Sequence, residues 1–262
     1  MNVLFIGDVF GSLGRQVLAQ RLPGLRRELS VDLCIANGEN SAGGIGITVN
    51  TARKLRKYGV DIVTGGNHSF AHTDKEPELG NLDWVLRPHN VPPGNPGKGY
   101  LVHTLADKRI VAVINLHGRT FFTQTMDCPF RTGREVVDRV REITPVILVD
   151  FHAEASSEKK AMGLWLDGSV SAVVGTHTHV QTADECLLPG GTAFVTDAGM
   201  TGPEDSVIGM KKEAILRKYL YQTHVRMEPS NSGPMLNAVF LDIDEKSGST
   251  RSIRRIYERG PR

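Results

Sequence analysis

The chain has 262 residues, of which 40% are hydrophobic and 23% are charged, and its formal net charge at pH 7 is +2. This near balance excludes the strong positive field that nucleic-acid-binding proteins usually carry, and the composition is that of an ordinary globular protein. Basic residues gather only between positions 251 and 262, where we expect a solvated tail.

Cysteine usage and hydropathy predict a soluble cytoplasmic protein. The three cysteines are odd in number and include no C-x-x-C pair, which is typical of a reducing compartment. The apolar run at residues 3–6 is too short for a signal sequence. No later run comes near the roughly eighteen apolar residues that a membrane span needs. We therefore expect no membrane association.

Strands and helices alternate along the first third of the chain. Strands are predicted at residues 3–6, 31–36 and 60–64. A helix over residues 13–29 should break or kink at Pro23, and a helix over residues 48–58 should stop at Gly59. This alternation favours one α/β domain over residues 1–262.

The alternation continues after a loop at residues 87–99, whose four prolines and three glycines leave open whether it is a lid or a connector. Thr132 and Glu135 form a capping-box pattern for a helix that runs to Ile143, with Val136, Val137, Val140 and Ile143 on its apolar face. The remaining predicted strands are 100–105, 110–116, 146–149, 172–174, 186–188, 193–196, 235–243 and 252–257.

Polar residues come directly after five of the predicted strands. They are Asp8, Glu39, Asn67, His152 and His177. Because ligands of α/β sheets bind outside the carboxyl ends of the strands, these side chains should converge on one rim. His117 also follows a strand and could line the same pocket.

His177 and His179 are the clearest candidates for metal binding. Alternation in an extended segment would place both imidazoles on one face, where they can reach one ion. Asn67 and His68 could serve a simple turn, but beside the histidine pair we expect Asn67 to ligate and His68 to donate a proton. Glu39 can bridge two cations through its two oxygens.

Further candidates complete a set of ligands large enough for two metal ions, which indicates a hydrolase acting on phosphate esters. The candidate ligands are Asp8, Glu39, Asn40, Asn67, His152, His177 and His179. Asp150 and Glu154 are better explained as partners that orient the ring N–H groups of the histidines.

These motifs resemble the YmdB-like branch of the calcineurin-like metallophosphoesterases, nearly from end to end. The matching segments are Gly7-Asp8-Val9 with Gly11, Asn37-Gly38-Glu39-Asn40, Gly66-Asn67-His68, and residues 150–155, 175–182 and 196–203. The superfamily usually has a histidine two positions after the first aspartate, where this chain has Phe10. In the YmdB-like branch an asparagine resembling Asn40 takes that ligand role. Ser69-Phe70-Ala71 departs from the more usual Thr-Trp-Asp, which affects substrate preference.

The resemblance implies a four-layer α/β/β/α sandwich and a phosphodiesterase that converts 2′,3′-cyclic nucleotides to 3′-nucleotides. Two metal ions per chain are implied, iron or else manganese, with a bridging hydroxide as nucleophile and His68 as general acid. The first site would use Asp8, Glu39, Asn40 and His179, and the second Glu39, Asn67, His152 and His177. Family members are often dimers or higher oligomers.

Four other functions fit parts of the pattern. A phosphomonoesterase or a nuclease could use the same metals. A metal-dependent amidohydrolase usually has its His-x-His early, on the first strand of a barrel, whereas here it is late. A regulatory protein could sense a cyclic nucleotide without hydrolysing it.

Overall fold

The computed structural model describes residues 1–72 and 77–260, which form two β-sheets flanked by helices. In chain order the first elements are β1 (Asn2–Ile6), β2 (Asp8–Val9), α1 (Gly11–Glu28), β3 (Leu33–Asn37), α2 (Val49–Tyr58), β4 (Ile62–Thr64), a 3₁₀ helix (Pro77–Asn81), β5 (Tyr100–Thr104) and β6 (Ile110–His117). They are followed by α3 (Pro129–Arg141), β7 (Ile147–His152), α4 (Ser156–Leu166), β8 (Ala172–Thr176), β9 (Cys186–Leu187), β10 (Ala193–Val195), β11 (Met200–Pro203), α5 (Lys212–Tyr221), β12 (Pro234–Ile243) and β13 (Thr250–Arg259).

Each sheet contains a run of adjacent parallel strands. The first sheet has the order β2-β11-β12-β1-β3-β4, with β13 paired to β12, and the second has the order β5-β6-β7-β8-β10-β9. Strands β1, β3 and β4 are parallel to one another, and so are β6, β7 and β8. The carboxyl ends of these six strands carry the predicted functional residues.

The two sheets pack face to face, and helices cover their outer faces. The core between the sheets includes Phe5 and Ile35 from the first sheet and Leu148 and Val174 from the second. Helices α1 and α2 cover the outer face of the first sheet, and α3 and α4 cover that of the second. The predicted four-layer α/β/β/α sandwich is confirmed.

Helix α1 continues through Pro23, so the predicted break at this residue is wrong. Pro23 is exposed, whereas Leu18, Leu22 and Leu25 are buried against the first sheet. The lost backbone hydrogen bond therefore lies on the side that water can reach, and packing of the opposite face holds the helix together. By contrast, α2 ends as predicted, with Gly59 at φ 110°.

Helix α3 begins earlier than the capping-box pattern predicts. It starts at Pro129, with Cys128 at the N-cap, and Thr132 lies inside its first turns. A proline at the first helical position loses no intrahelical hydrogen bond and has a preset φ, which explains the earlier start. The helix ends at Arg141, so Ile143 lies beyond it with 55% of its surface exposed, while the three predicted valines are buried.

The basic C-terminal residues do not form a solvated tail within the described part of the chain. They lie on β13, where Arg251 pairs with Asp242 and Asp244, and Arg255 pairs with Glu185. Acidic neighbours therefore neutralise both of these arginines. Arg262, the last of the predicted tail, lies outside the described residues.

The loop at residues 87–99 is fastened to the end of β6. The backbone N–H of His89 donates to Asn115 O at 2.7 Å, and the buried Asn90 side chain bonds both backbone groups of His117 at 2.8 Å. This anchoring favours a connector over a lid.

The three cysteines are free thiols, and within residues 1–72 and 77–260 the helices are too short or too polar to cross a membrane.

Candidate metal centre

The structure brings all eight predicted site residues to one end of the two sheets. Asp8 lies in β2, Glu39 and Asn40 follow β3, and Asn67 and His68 follow β4, all on the first sheet. His152 is the last residue of β7 instead of following it, while His177 and His179 follow β8 on the second sheet. The predicted convergence at the carboxyl ends is therefore observed.

Four of these side chains meet closely around one point. His152 Nε2 lies 2.9 Å from Asn67 Oδ1, 3.1 Å from His177 Nδ1 and 3.3 Å from Glu39 Oε1. Atoms that share an ion at about 2.1 Å are separated by about 3.0–3.4 Å when the angle at the ion is 90–110°. The spacing of this group is therefore suited to one cation.

Hydrogen bonds on the far side of each ring fix which nitrogen faces this point. His152 Nδ1 lies 2.9 Å from Thr176 Oγ1, and Thr176 donates its own proton to Asp150 Oδ1 at 2.7 Å, so the hydroxyl accepts from His152. His177 Nε2 lies 2.8 Å from Glu154 Oε2 and donates to it. In the neutral form of each ring, the outer nitrogen therefore carries the proton, and the lone pair of the inner nitrogen faces the shared point.

Inward-facing acceptors repel one another unless a positive charge lies among them. Burial opposes charge on His152, but the carboxylates of Glu39 and Asp8 outweigh it and raise the pKa of this imidazole to about 9. Glu39 is also buried, yet His152 and His68 hold the pKa of its carboxyl well below the usual range. The surroundings thus favour a cation at this point, whether a proton or a metal ion.

Asp8, Asn40 and His179 form a second group beside Glu39, in which the side chains are spaced more widely. His179 donates Nδ1–H to the Ile208 carbonyl at 3.0 Å, and its Nε2 lies 3.9 Å from Asp8 Oδ1. The Asn40 amide nitrogen lies 3.2 Å from His179 Nε2 and 3.1 Å from Glu39 Oε1. For Asn40 to ligate, its amide must turn by 180°, which exchanges Oδ1 with Nδ2.

Asp8 supplies an independent sign that this second group suits a metal. Its Oδ2 accepts from the His177 backbone N–H at 3.1 Å, but its buried Oδ1 has no hydrogen-bond partner among the described residues. Burial is the main cause that raises the pKa of the Asp8 carboxyl well above its usual range. A metal ion at Oδ1 would satisfy this oxygen and reverse that effect.

His68 stands at the edge of the centre. Its Nδ1 lies 2.8 Å from Asn40 Oδ1 and 3.3 Å from Glu39 Oε1, and its backbone N–H donates to Glu39 Oε2 at 2.9 Å. The side chain is 36% exposed and lines an open cleft. His68 is therefore held against the buried carboxylate while it remains accessible to a bound molecule.

The His177–His179 segment is a tight turn, so the predicted extended alternation is wrong. His177 has φ 108° and His179 has φ 65°, a left-handed conformation that non-glycine residues seldom adopt. Asp197 holds the turn by accepting from the backbone N–H of Thr178 at 3.0 Å, and it pairs with the fully buried Lys159 at 2.7 Å. Both rings still reach the centre, but through this bend.

Sequence reasoning missed Thr176, Asp197 and Lys159. Thr176 and Asp197 lie in the family-like segments, which was their only signal, and Lys159 is an ordinary helix residue in the sequence. Asp150 was expected to orient a histidine directly, but it acts through Thr176. His117 is buried behind His152, with ring centroids 5.8 Å apart, and burial lowers the pKa of its imidazole to about 4.

Gly66 explains how the loop after β4 comes so close to the centre. A Cβ on this residue would lie 2.3 Å from His152 Nε2 and 2.4 Å from Glu39 Oε2, closer than atoms can approach. Only glycine therefore allows the backbone to pass between these ligands and present Asn67 on one side and His68 on the other.

Comparisons with known proteins identify the family of the chain. The family model described as YmdB-like protein matches residues 4–256. A Bacillus subtilis protein named 2′,3′-cyclic-nucleotide 2′-phosphodiesterase is 43% identical over 98% of this chain and 96% of its own length. A crystal structure of a hypothetical protein from Thermus thermophilus has a TM-score of 0.92 and 38% identity, with 100% of both chains covered.

A second crystal structure, of a phosphatase from Mycoplasma pneumoniae, has a TM-score of 0.91 and 32% identity over 99% of this chain and 93% of the other. The similarity thus extends over nearly the whole length of each relative and includes all the segments that carry the metal-ligand candidates. The chain belongs to the YmdB-like protein family.

Proposed function

We propose that the protein is a metal-dependent phosphodiesterase that hydrolyses 2′,3′-cyclic nucleotides to 3′-nucleotides. The observation that carries this proposal is the group of inward-facing acceptors from Glu39, Asn67, His152 and His177 with His68 beside it. The name of the B. subtilis relative supports the substrate class. A sensor that only bound a nucleotide would have no use for an accessible histidine at the centre.

The ligands would form two sites that share Glu39. Asp8, Asn40 and His179 would complete one, and Asn67, His152 and His177 the other. Two metal ions held there would supply a hydroxide near neutral pH and neutralise the phosphate that it attacks. Carboxylate, amide and imidazole ligands suit iron and manganese, so the metal remains a choice between these two.

His68 would supply the proton that the reaction needs. Cleavage of the bond between phosphorus and the ribose 2′-oxygen leaves an alkoxide, which is a poor leaving group until it is protonated. His68 lies at the cleft, with Nδ1 against Asn40 and Glu39, so Nε2 is the nitrogen available to that oxygen. The product would then be the 3′-phosphate.

A substrate panel tests the proposed function. Protein loaded anaerobically with Fe²⁺ or with Mn²⁺ should convert 2′,3′-cyclic AMP to 3′-AMP, and metal-stripped protein should not. Faster release of inorganic phosphate from 3′-AMP would instead identify a phosphomonoesterase. Binding of the cyclic nucleotide without any product would identify a sensor.

Three further expectations remain predictions. The single domain and the dimer or higher oligomer can be checked by limited proteolysis and by light scattering of the purified protein. The cytoplasmic location can be checked by fractionation of cells that express it.

A further inference from the structure

One side of the metal-site cleft is apolar and, except at the buried Met210, open to water. It is formed by Ile45, Ile208, Met210, Tyr219 and Met227, here called the apolar wall. Tyr219 is 70% exposed, Ile208 54% and Ile45 47%. Large apolar side chains grouped at the mouth of a polar centre mark a surface that a ligand covers.

Ile208 is held in a conformation that its residue type disfavours. Val207 and Met210 exchange both backbone hydrogen bonds, at 2.9 and 3.0 Å, around a two-residue turn whose φ values are 50° at Ile208 and 92° at Gly209. A turn with two positive φ values favours Asn-Gly, and a β-branched residue at its first position is strained. Strain of this kind often accompanies function.

Packing accounts for the glycine of this turn but not for the isoleucine. A Cβ at Gly209 would lie 2.6 Å from the Phe10 ring, so no larger residue fits. The Ile208 carbonyl accepts from His179 Nδ1, but any residue would supply that carbonyl. Ile208 lines the cleft and is half exposed, so packing within the folded protein gives no reason for an isoleucine here.

We propose that the apolar wall binds the flat face of the substrate's nucleobase, with Ile208 and Tyr219 as its main contacts. This inference rests on the proposed function and extends it to the part of the substrate that does not react. The wall lies beside His179, so a base resting on it would leave the cyclic phosphate facing the metal centre and His68.

The chemistry of the wall predicts which bases it accepts. An aromatic ring, a thioether and aliphatic side chains contact the face of a base, which all bases share, and do not read the hydrogen-bonding edge. All four bases should therefore bind, and purines should bind more tightly than pyrimidines because their area is larger.

Binding of a non-reacting pair of ligands tests the wall separately from turnover. Isothermal titration of manganese-loaded protein gives one Kd for adenosine 3′-phosphate and one for ribose 3-phosphate. The ratio of the second Kd to the first is the factor by which the base increases the affinity. This ratio should fall about 10-fold in Tyr219→Ala and about 3–10-fold in Ile208→Asn. Leu220→Ala is the matched control, since Leu220 is the next residue of α5 and is 72% exposed without lining the cleft.

The stability of the Ile208 variant separates strain from binding. Asparagine tolerates the left-handed conformation, so Ile208→Asn should raise Tm by about 2–4 °C while it weakens the contribution of the base. A raised Tm with an unchanged affinity ratio would overturn the proposal. If Ile208→Asn fails to fold or loses metal, Tyr219→Ala decides the matter, and an unchanged ratio in that variant would overturn it.

Loss of the proposed function would look different. Protein that hydrolyses no cyclic nucleotide, yet binds adenosine 3′-phosphate more tightly than ribose 3-phosphate through Tyr219, would refute the activity and keep the wall. Protein that hydrolyses 2′,3′-cyclic AMP, but has the same affinity ratio in all variants, would support the activity and refute base binding by the apolar wall.

Discussion

At the scale of single residues, the centre is organised by atoms that never touch the metal position. Each of the three histidines donates its outer N–H to an oxygen, from Thr176, Glu154 or the Ile208 carbonyl. These bonds select the tautomer that leaves the inner nitrogen free. Glu154 was foreseeable because it lies two residues after a ligand, but a threonine hydroxyl and a backbone carbonyl carry no such signal in a sequence.

Removal of His68 should separate proton donation from metal binding. His68→Ala should lose about 10²–10⁴ in kcat on 2′,3′-cyclic AMP, the usual contribution of a general acid, and should keep its metal. His177→Ala should lose metal, since one of four converging ligands is gone. Metal content by elemental analysis, beside kcat, distinguishes the two variants.

His224→Ala provides the control for both variants, because His224 is an exposed histidine on the segment after α5. It should match the wild type in metal content and rate. If His68→Ala lost its metal as completely as His177→Ala, His68 would be a ligand and its assignment as the acid would be wrong.

At the scale of elements, the turn after β8 depends on a buried ion pair. Lys159 of α4 and Asp197 are both fully buried, and Asp197 also accepts from the backbone N–H groups of Thr178 and Gly199 at 3.0 and 2.8 Å. A buried carboxylate with these partners fixes the backbone between His177 and His179. The lysine neutralises a charge that the interior would otherwise reject.

Loss of Lys159 should therefore harm both stability and metal binding. Lys159→Met leaves Asp197 buried without its cation and should lower the free energy of unfolding by about 3–5 kcal/mol, measured by urea denaturation. The same variant should bind metal more weakly, because the turn that carries His177 and His179 loosens.

The double variant Lys159→Met/Asp197→Asn removes both charges and should recover part of the stability. Lys54→Met, at an exposed position of α2, is the control for loss of a lysine. A Lys159→Met protein as stable as the control would show that the ion pair contributes nothing net.

The elements that sequence patterns predicted are those with strong local signals. Buried strands such as β3 have continuous apolar runs, and α2 has both its cap and its stop residue. Helix α4 was missed because its buried face includes Lys159 and Gly163, and α5 was missed because only Ile215 is buried along it. Strands β2 and β11, of two and four residues, exist only through their tertiary partners.

The candidate site also has parts with a local sequence signal and parts that depend on distant residues. The convergence of its candidate ligands was predictable because polar residues interrupt apolar strands at their carboxyl ends. The bend at residues 177–179 was not, since its left-handed φ values follow from hydrogen bonds to Asp8 and Asp197, which are distant in the chain. The apolar wall was unforeseen for a similar reason, because its members come from four separate segments, at residues 45, 208–210, 219 and 227.

At the scale of the whole molecule, the two sheets divide the ligands between them. The candidate carboxylate and amide ligands come from the first sheet, and the three candidate imidazole ligands come from the second. A metal ion at this position would therefore link the sheets, in addition to the apolar core that already joins them.

Metal loading should stabilise the whole fold. Mn²⁺ at about 100 times its Kd should add about 2.7 kcal/mol, which corresponds to a rise in Tm of about 5–10 °C for a chain of this size. Differential scanning calorimetry with and without chelator measures the shift. The rise in Tm should be smaller in Asn67→Ala than in the wild type. An equal rise in this variant would mean that manganese binds elsewhere.

The pairing of β1 with both β3 and β12 has a consequence for how the chain is made. All the ligands leave the ribosome before β12 does, yet β1 lacks its second neighbour until those last strands arrive. A nascent chain therefore carries every candidate ligand and His68 without the frame that aligns them. Catalytic competence should appear only after synthesis is nearly finished, so incomplete chains stay inert.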